Sequence, residues 1–210
     1  STDGGSTWVV LSDSLRGDET GIGIVCQNWD CETRDLRVDP FDRNVLYLRK
    51  NSFFFSSTDG GKQWHRVGPT GELRTIALDP STPGTVYFGT VDGAFKSLDR
   101  GSTWHQVFSG TINSISISPR DSQTLYAVGA RSVLRSGDGS QTWDERSVGI
   151  LTAGVEAVVS ITVHPEDPQI AYVGVSVDRE TLTPSIYRTE DGGRSWEAMG
   201  LNGHIIRTLA

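Results

Sequence analysis

"SSTDGGKQW", residues 56–64, decides how the rest of the chain is read. It places one carboxylate beside two glycines and follows them with a tryptophan. Asp59 can accept hydrogen bonds from the N–H groups of its own turn. Gly60 and Gly61 can take positive φ without a Cβ clash. Trp64 supplies the apolar plate that a thin hairpin needs against its neighbour, and Ser57 can bond back across the turn. A Ca²⁺ loop would need further oxygen ligands at alternating positions, and these are lacking. A turn accounts for every constant position.

The stretch recurs. It reads "STDGGSTW" (1–8), "STDGGKQW" (57–64), "SLDRGSTW" (97–104), "SGDGSQTW" (136–143) and "TEDGGRSW" (189–196). The aspartates are Asp3, Asp59, Asp99, Asp138 and Asp191; the tryptophans are Trp8, Trp64, Trp104, Trp143 and Trp196. Ser140 replaces the second glycine of one copy, and Thr189 opens another. A second pattern alternates with the first: "LRVDPFDRNVLY" (36–47), "IALDPSTPGTVY" (76–87), "ISISPRDSQTLY" (115–126) and "ITVHPEDPQIAY" (161–172). Apolar residues alternate on both sides of the proline, which marks two short strands joined by a turn. Proline sits where a strand ends because it cannot donate to a ladder. A further strand leads into each aspartate turn and another follows each tryptophan. One period is four short strands in about 40 residues, as Trp64 to Trp104 shows. That is the signature of a β-propeller blade.

The expected fold class is therefore all-β: four-stranded antiparallel blades at about 36–68, 74–109, 113–148 and 159–200. A leading strand at 7–11 and a trailing strand at 204–210 flank them in one segment, 1–210. "RTLA" (207–210) lines up with "RTIA" (74–77), the first strand of a blade. Propellers close with more blades than this. The remaining blades of a longer chain, or a second chain, are expected to complete the ring.

Measured from turn to turn, three places hold extra residues: 11–35, 146–158 and 175–184. In an up-and-down meander all three emerge at the end of the blades opposite the aspartate turns. Breaks in a repeat are where function is expected. The largest insertion carries Trp29, Asp30, Glu32 and Arg34, which suit sugar stacking or partner binding; the same residues also suit a solvated loop over a buried tryptophan. Asp178, Arg179 and Glu180 add charge to the third. Cys26 and Cys31, four residues apart between them, read either as two free thiols or as a disulfide stapling that loop.

Composition narrows the classes. The formal charge is −7 over 210 residues. An acidic chain without clustered Lys and Arg argues against nucleic acid as the partner. No run of 18 apolar residues occurs, so no direct membrane insertion by a helix is expected. No Cys and His pairs have the spacing of a metal site, and no cofactor motif is present.

The S-x-D-x-G-x-x-W copies resemble the Asp-box, or BNR, repeat family. The preceding "DPSTPGTVYFGT" (79–90) is similar to blades of sortilin-type, xyloglucanase-type and photosystem II assembly-factor propellers. The resemblance covers essentially the whole chain, and one fold hosts many activities. Together with the Cys pair it implies an extracellular, periplasmic or lumenal setting; the insertions and the lack of a catalytic motif make a non-catalytic scaffold that engages a protein or glycan partner the expected function. A fragment of a xyloglucanase-like or sialidase-like glycosidase is the enzymatic alternative, and an assembly factor for a membrane complex is another. Glycoside hydrolysis needs two positioned carboxylates. Asp18, Glu19, Asp35 and Glu156 join the acidic residues above as raw material, yet no pair stands out. The Phe/Tyr-Arg-Ile-Pro motif of sialidases is absent. "GTVDGAF" (89–95) approaches a xyloglucanase segment, but Asp92 also fits an Asp-Gly hairpin turn. His65 and His105 follow the turn tryptophans, His204 lies in the terminal connection, and His164 stands where Asp39 and Asp79 stand in sister repeats. No catalytic residue is assigned.

Overall fold

The computed structural model describes residues 6, 33–50, 53–68, 72–150, 155–177 and 185–200, with the side chains of Thr33 and Arg34 excepted. Asp3, Trp8, the 7–11 and 204–210 strands, Cys26 and Cys31 lie outside the described residues. The described residues form strands and turns, with no helix long and apolar enough to cross a membrane.

Four antiparallel sheets follow one another, each with its strands in chain order. Blade 1 is β1 (Thr33–Val38), β2 (Leu46–Lys50), β3 (Phe53–Ser57) and β4 (His65–Val67). Blade 2 is β5 (Leu73–Leu78), β6 (Val86–Thr90), β7 (Gly93–Ser97) and β8 (His105–Ser109). Blade 3 is β9 (Ser114–Ile117), β10 (Leu125–Val128), β11 (Val133–Ser136) and β12 (Asp144–Glu145). Blade 4 is β13 (Val155–Val163), β14 (Ala171–Val177), β15 (Ile186–Thr189) and β16 (Glu197–Gly200). Blade 1 belongs to one compact unit, residues 1–68, and blades 2 to 4 to a second, residues 69–210.

The aspartate turn joins the third and fourth strands of every blade by one hydrogen-bond pattern. Ser57 Oγ donates to Asp59 Oδ1 at 2.8 Å and accepts the Gly61 N–H at 2.8 Å. Asp59 Oδ1 also accepts the N–H groups of Lys62 and Gln63 at 2.9 and 3.0 Å. Ser97, Ser136 and Thr189 repeat the hydroxyl's part in the other blades. Two successive residues take positive φ: Gly60 and Gly61 at 73° and 91°, Gly192 and Gly193 at 74° and 83°. Arg100 (61°) and Ser140 (76°) are forced into the same conformation without being glycine. In blades 2 to 4 the residue before the tryptophan adds a hydroxyl: Thr103, Thr142 and Ser195 donate to the second carboxylate oxygen at 2.7, 2.6 and 2.7 Å. Gln63 has no such hydroxyl. This extra bond accompanies carboxyls held down to about 2 at Asp99, Asp138 and Asp191, with the hydroxyl bond as the leading cause. At Asp59 the backbone bond from Gln63 leads a downward shift.

The aspartate turn is tied to the proline turn of its own blade. The N–H of Gly60 donates to the Asn44 carbonyl at 2.9 Å, and Arg100, Gly139 and Gly192 do the same to Gly84, Gln123 and Gln169. The proline turns are closed by a side-chain acceptor. Asp39 Oδ1 takes the Phe41 N–H at 2.8 Å and Asp79 Oδ1 the Ser81 N–H at 2.9 Å. Ser118 Oγ and His164 Nδ1 accept from Arg120 and Glu166 at 3.3 and 3.2 Å. His164 is thus a turn cap, its Nδ1 serving where the sister repeats use a carboxylate.

Between blades 2, 3 and 4 the sheets pack face to face. Tyr87, Ala94 and Ile112 meet Ile115, Leu125 and Leu134 in one core. Tyr126, Val133 and Ile150 meet Ile161, Val173 and Trp196 in another. Burying such side chains contributes roughly 1.5–3 kcal/mol each. Ile112 and Ile150 come from the connections between blades and plug the junctions. Gly89 makes room: a Cβ there would lie 2.7 Å from the Ile112 side chain. In blade 4 the excess residues partly lengthen strands rather than loops, since β13 has 9 residues and β14 has 7. Two register shifts in their pairing absorb the mismatch.

Acid and thermal unfolding test this account. The Asp carboxyls of blades 2 to 4 are depressed from 3.8 to about 2, so their contribution is present above pH 3.8 and lost as pH falls toward 2. Acid unfolding followed by tryptophan fluorescence is expected to track that window, and Asp138→Asn to flatten it. Ser140→Gly is expected to stabilise by about 1 kcal/mol, because a left-handed non-glycine residue is strained. Gly93→Ala is expected to cost more than about 3 kcal/mol, because its Cβ would collide with the Phe108 carbonyl oxygen. Thermal melts of both variants check the pair.

Candidate functional site

In each unit the blades have an end away from their aspartate turns, reached in blade 2 by the β6–β7 connection and in blade 3 by the β10–β11 connection. Trp29, Asp30, Glu32, Asp178, Arg179 and Glu180 lie outside the described residues. Arg34 is placed on β1 by its backbone. What the described residues bring to this end is a set of charged side chains in each unit.

In blade 1 the signal is a departure from the repeat. The second strand reads Tyr47-Leu48-Arg49-Lys50, where its sisters read Tyr87-Phe88-Gly89-Thr90, Tyr126-Ala127-Val128-Gly129 and Tyr172-Val173-Gly174-Val175. Two cations replace small or apolar residues in the last two positions of a strand, and Lys50 is only 8% exposed. Arg49 stands opposite Asp35 in the β1–β2 register. Asp35 Oδ1 accepts from Arg37 Nε at 3.0 Å. Burial pushes the Asp35 carboxyl above its ordinary value, and Arg37 and Arg49 pull against that shift. Arg66 lies over the Phe53 ring at 3.9 Å. Residues 33–68 carry seven Lys and Arg against four Asp, a net +3 in a chain of net −7. Lining up the repeats residue by residue exposes this; measuring only their lengths passes over it.

In the second unit a polar strip crosses three blades. Arg74 reaches Glu72 at 3.4 Å and donates to Asn113 Oδ1 at 3.2 Å. Asn113 Nδ2 donates to the carbonyls of Gly129 and Val158 at 3.2 and 3.0 Å. Arg131 donates to the Val155 carbonyl at 2.9 Å, and Glu156 accepts from Ser176 at 3.1 Å. Asp92 occupies a two-residue hairpin turn whose N–H groups bond Thr90 Oγ1 at 3.0 Å. Its carbonyl accepts from Gln106. Among the described residues no group of three or more His, Cys, Asp and Glu is gathered as a metal ligand set. Guanidinium groups held by carbonyls and carboxylates make a surface suited to polar recognition.

Solved structures share this architecture. The fold is that of β-propeller blades. An ancestral GH74 enzyme superposes with a TM-score of 0.68 at 18% identity, over 80% of this chain and 24% of the enzyme. An auxiliary nutrient binding protein from Bacteroides thetaiotaomicron gives 0.53 at 21% identity, over 73% of this chain and 38% of that protein. YCF48, solved bound to a D1 peptide, gives 0.50 at 16% identity, over 84% and 70%. The chain thus spans about a quarter of the enzyme's length. At these identities the likeness carries the fold alone. No protein-family model and no curated protein sequence matches the chain.

The Asp35 environment predicts a titration. By NMR its carboxyl is expected to titrate above 3.8, and Arg37→Ala to raise it further, because the guanidinium opposes the effect of burial. A midpoint at the ordinary carboxylate value or below would refute the burial account.

Proposed function

We propose that the chain is a segment of an Asp-box propeller, spanning 1–210, that binds a protein or glycan partner without turning it over. The partner contacts the end opposite the aspartate turns. Trp29, Asp30, Glu32 and Arg34 meet it from the first insertion, and Asp178, Arg179 and Glu180 from the third. The observation that carries this reading is the charged departure of blade 1, Asp35 with Arg49 and Lys50. Burying charge at the end of a strand costs stability that sister blades avoid, so a role other than packing is its simplest reason. The mechanism is rigid display: each loop is held by the sheet that carries it, and little ordering entropy is lost on binding. No cofactor takes part, and the setting is extracellular, periplasmic or lumenal.

A second reading, a glycosidase fragment, is favoured by Asp35. A carboxyl held above its ordinary value is what a general acid requires. The assembly-factor reading rests on likeness to a propeller that binds a peptide.

Deleting residues 18–32 is expected to leave the far-UV circular dichroism and the thermal melt intact and to abolish retention of the partner on a glycan and peptide array. Retention unchanged by the deletion refutes the loop's role. Turnover of an oligosaccharide that is lost in Asp35→Asn would replace the binding reading by the enzymatic one.

A further inference from the structure

Blade 3 departs from the repeat at its outer edge. Three residues after the tryptophan, its sisters carry Val67, Val107 and Met199, and blade 3 carries Arg146. The Arg146 side chain is only 23% exposed. Its Cβ lies 3.0 Å from where a Cβ would stand at Gly193 of the blade 4 aspartate turn, and its carbonyl accepts from Trp196 Nε1 at 2.7 Å. A guanidinium is thus drawn into a packed junction where the repeat uses an apolar side chain, at a desolvation cost that packing alone does not require.

A second guanidinium lies on the same face. Tyr126 opposes Arg135 in the β10–β11 register, and Arg135 opposes Asp144 in the β11–β12 register. Directly opposed residues share a face of the sheet, and Arg146, two residues past Asp144, shares it too. Arg135 Nε lies 3.4 Å from where a Cβ would stand at Gly192. Tyr126 anchors the row. Its hydroxyl donates to the Pro168 carbonyl of blade 4 at 2.8 Å, and its ring carries the Arg135 guanidinium at 5.7 Å. Burial raises the Tyr126 phenol above its ordinary value, and Arg135 and Arg146 both oppose that shift, so both charges stand close to this hydroxyl.

The charges in the row do not balance. At the position of Arg135, Lys96 of blade 2 donates to the Gly139 carbonyl at 2.9 Å, and Arg188 of blade 4 pairs with Glu190. Blade 3 has Gly137 in place of Glu190. Among the described residues Arg135 meets the Tyr126 phenol, with no carboxylate or carbonyl to take its N–H groups. Asp144 pairs with Arg146 Nη2 at 2.9 Å. Asp167, the other carboxylate that acts on Tyr126, accepts the Gln169 N–H of its own turn at 2.8 Å. Two guanidiniums therefore share one carboxylate. The Nε of each is enclosed in the junction, which holds the two heads in place. Nη1 and Nη2 of half-buried Arg135, and Nη1 of Arg146, are the donors left toward solvent.

We infer that Arg135 and Arg146 form a binding site for a singly charged oxyanion, a carboxylate or a sulfate ester, on the outer rim of the junction between blades 3 and 4. The Arg135 fork offers two parallel N–H donors, and Arg146 Nη1 offers a third. One negative charge is what the row lacks once Asp144 is counted. Heads already fixed by packing lose little rotamer freedom on binding. The site lies beside the aspartate turn of blade 4, so it does not depend on the partner surface proposed for the opposite end.

Nitrogen-15 NMR of the full 210-residue chain tests it. Sodium acetate and sodium methyl sulfate are titrated separately, at constant ionic strength against chloride. The Nε–H resonances of Arg135 and Arg146 are expected to shift saturably with at least one probe, while those of Arg120 and Arg131 shift linearly. The probe that saturates at lower concentration identifies the group as carboxylate or sulfate ester. Arg135→Gln and Arg146→Val are each expected to weaken binding at least roughly tenfold. Valine is the residue of blade 2 at the place of Arg146, so that variant is expected to fold, with near-UV circular dichroism as the check. A linear response to both probes overturns the inference. Saturable binding that is unchanged in Arg146→Val overturns it as well.

Discussion

The structure depends on one constraint: the backbone N–H groups of a tight turn need acceptors, and a single aspartate supplies them. Once Asp59 and Ser57 have captured the N–H groups of Gly61, Lys62 and Gln63, the next tryptophan has only one place to go. The bond from Gly60 to the Asn44 carbonyl then ties this turn to the proline turn of the same blade. Two connections that are remote in sequence are locked at one end, and the four strands between them are brought into line. Because the links inside the turn go to carboxylate and hydroxyl oxygens, the pattern survives replacement of a glycine by Ser140 or Arg100.

Rigidity at one end leaves the opposite end free to vary. The turn end uses its polar groups on itself, which explains why its carboxylates are acidic. His164 illustrates the same economy: its Nδ1 repeats the part of Asp39 and Asp79. Away from its own turn, blade 1 departs from the repeat at Arg49, Lys50 and Asp35; within the second unit the Arg74–Asn113 strip runs across three blades. A blade can host such groups because its stability is secured elsewhere, in the turns and in the packed faces between sheets.

Much of the fold was legible in the chain before any coordinates. The four-strand period, the turn residues and the insertions all follow from local patterns. The candidate site was less so. Trp29, Asp30, Glu32, Asp178, Arg179 and Glu180 were chosen because insertions break the repeat, and they lie outside the described residues. The charged stretch of blade 1 preserves the repeat length and changes only its chemistry, so a ruler laid from turn to turn does not find it. Ile150 was hidden for a different reason. It lies in a region counted as an insertion, yet it is wholly buried in the junction between blades 3 and 4.

By itself the sequence determined the turns, the strand order within a blade and the all-β class. The hydrogen bonds that define an aspartate turn span four residues or fewer, so the residues that make them are neighbours in the chain. Only the tertiary structure decided which blade faces are enclosed and which stand open. Leu36 and Ile161 occupy the same place in the same motif, one exposed and the other buried. Ser114 and Ser160 are likewise equivalent, one bonded to the following strand and the other without a partner. Burial belongs to the neighbouring blade, about 40 residues away along the chain, and a local pattern does not report how that neighbour packs.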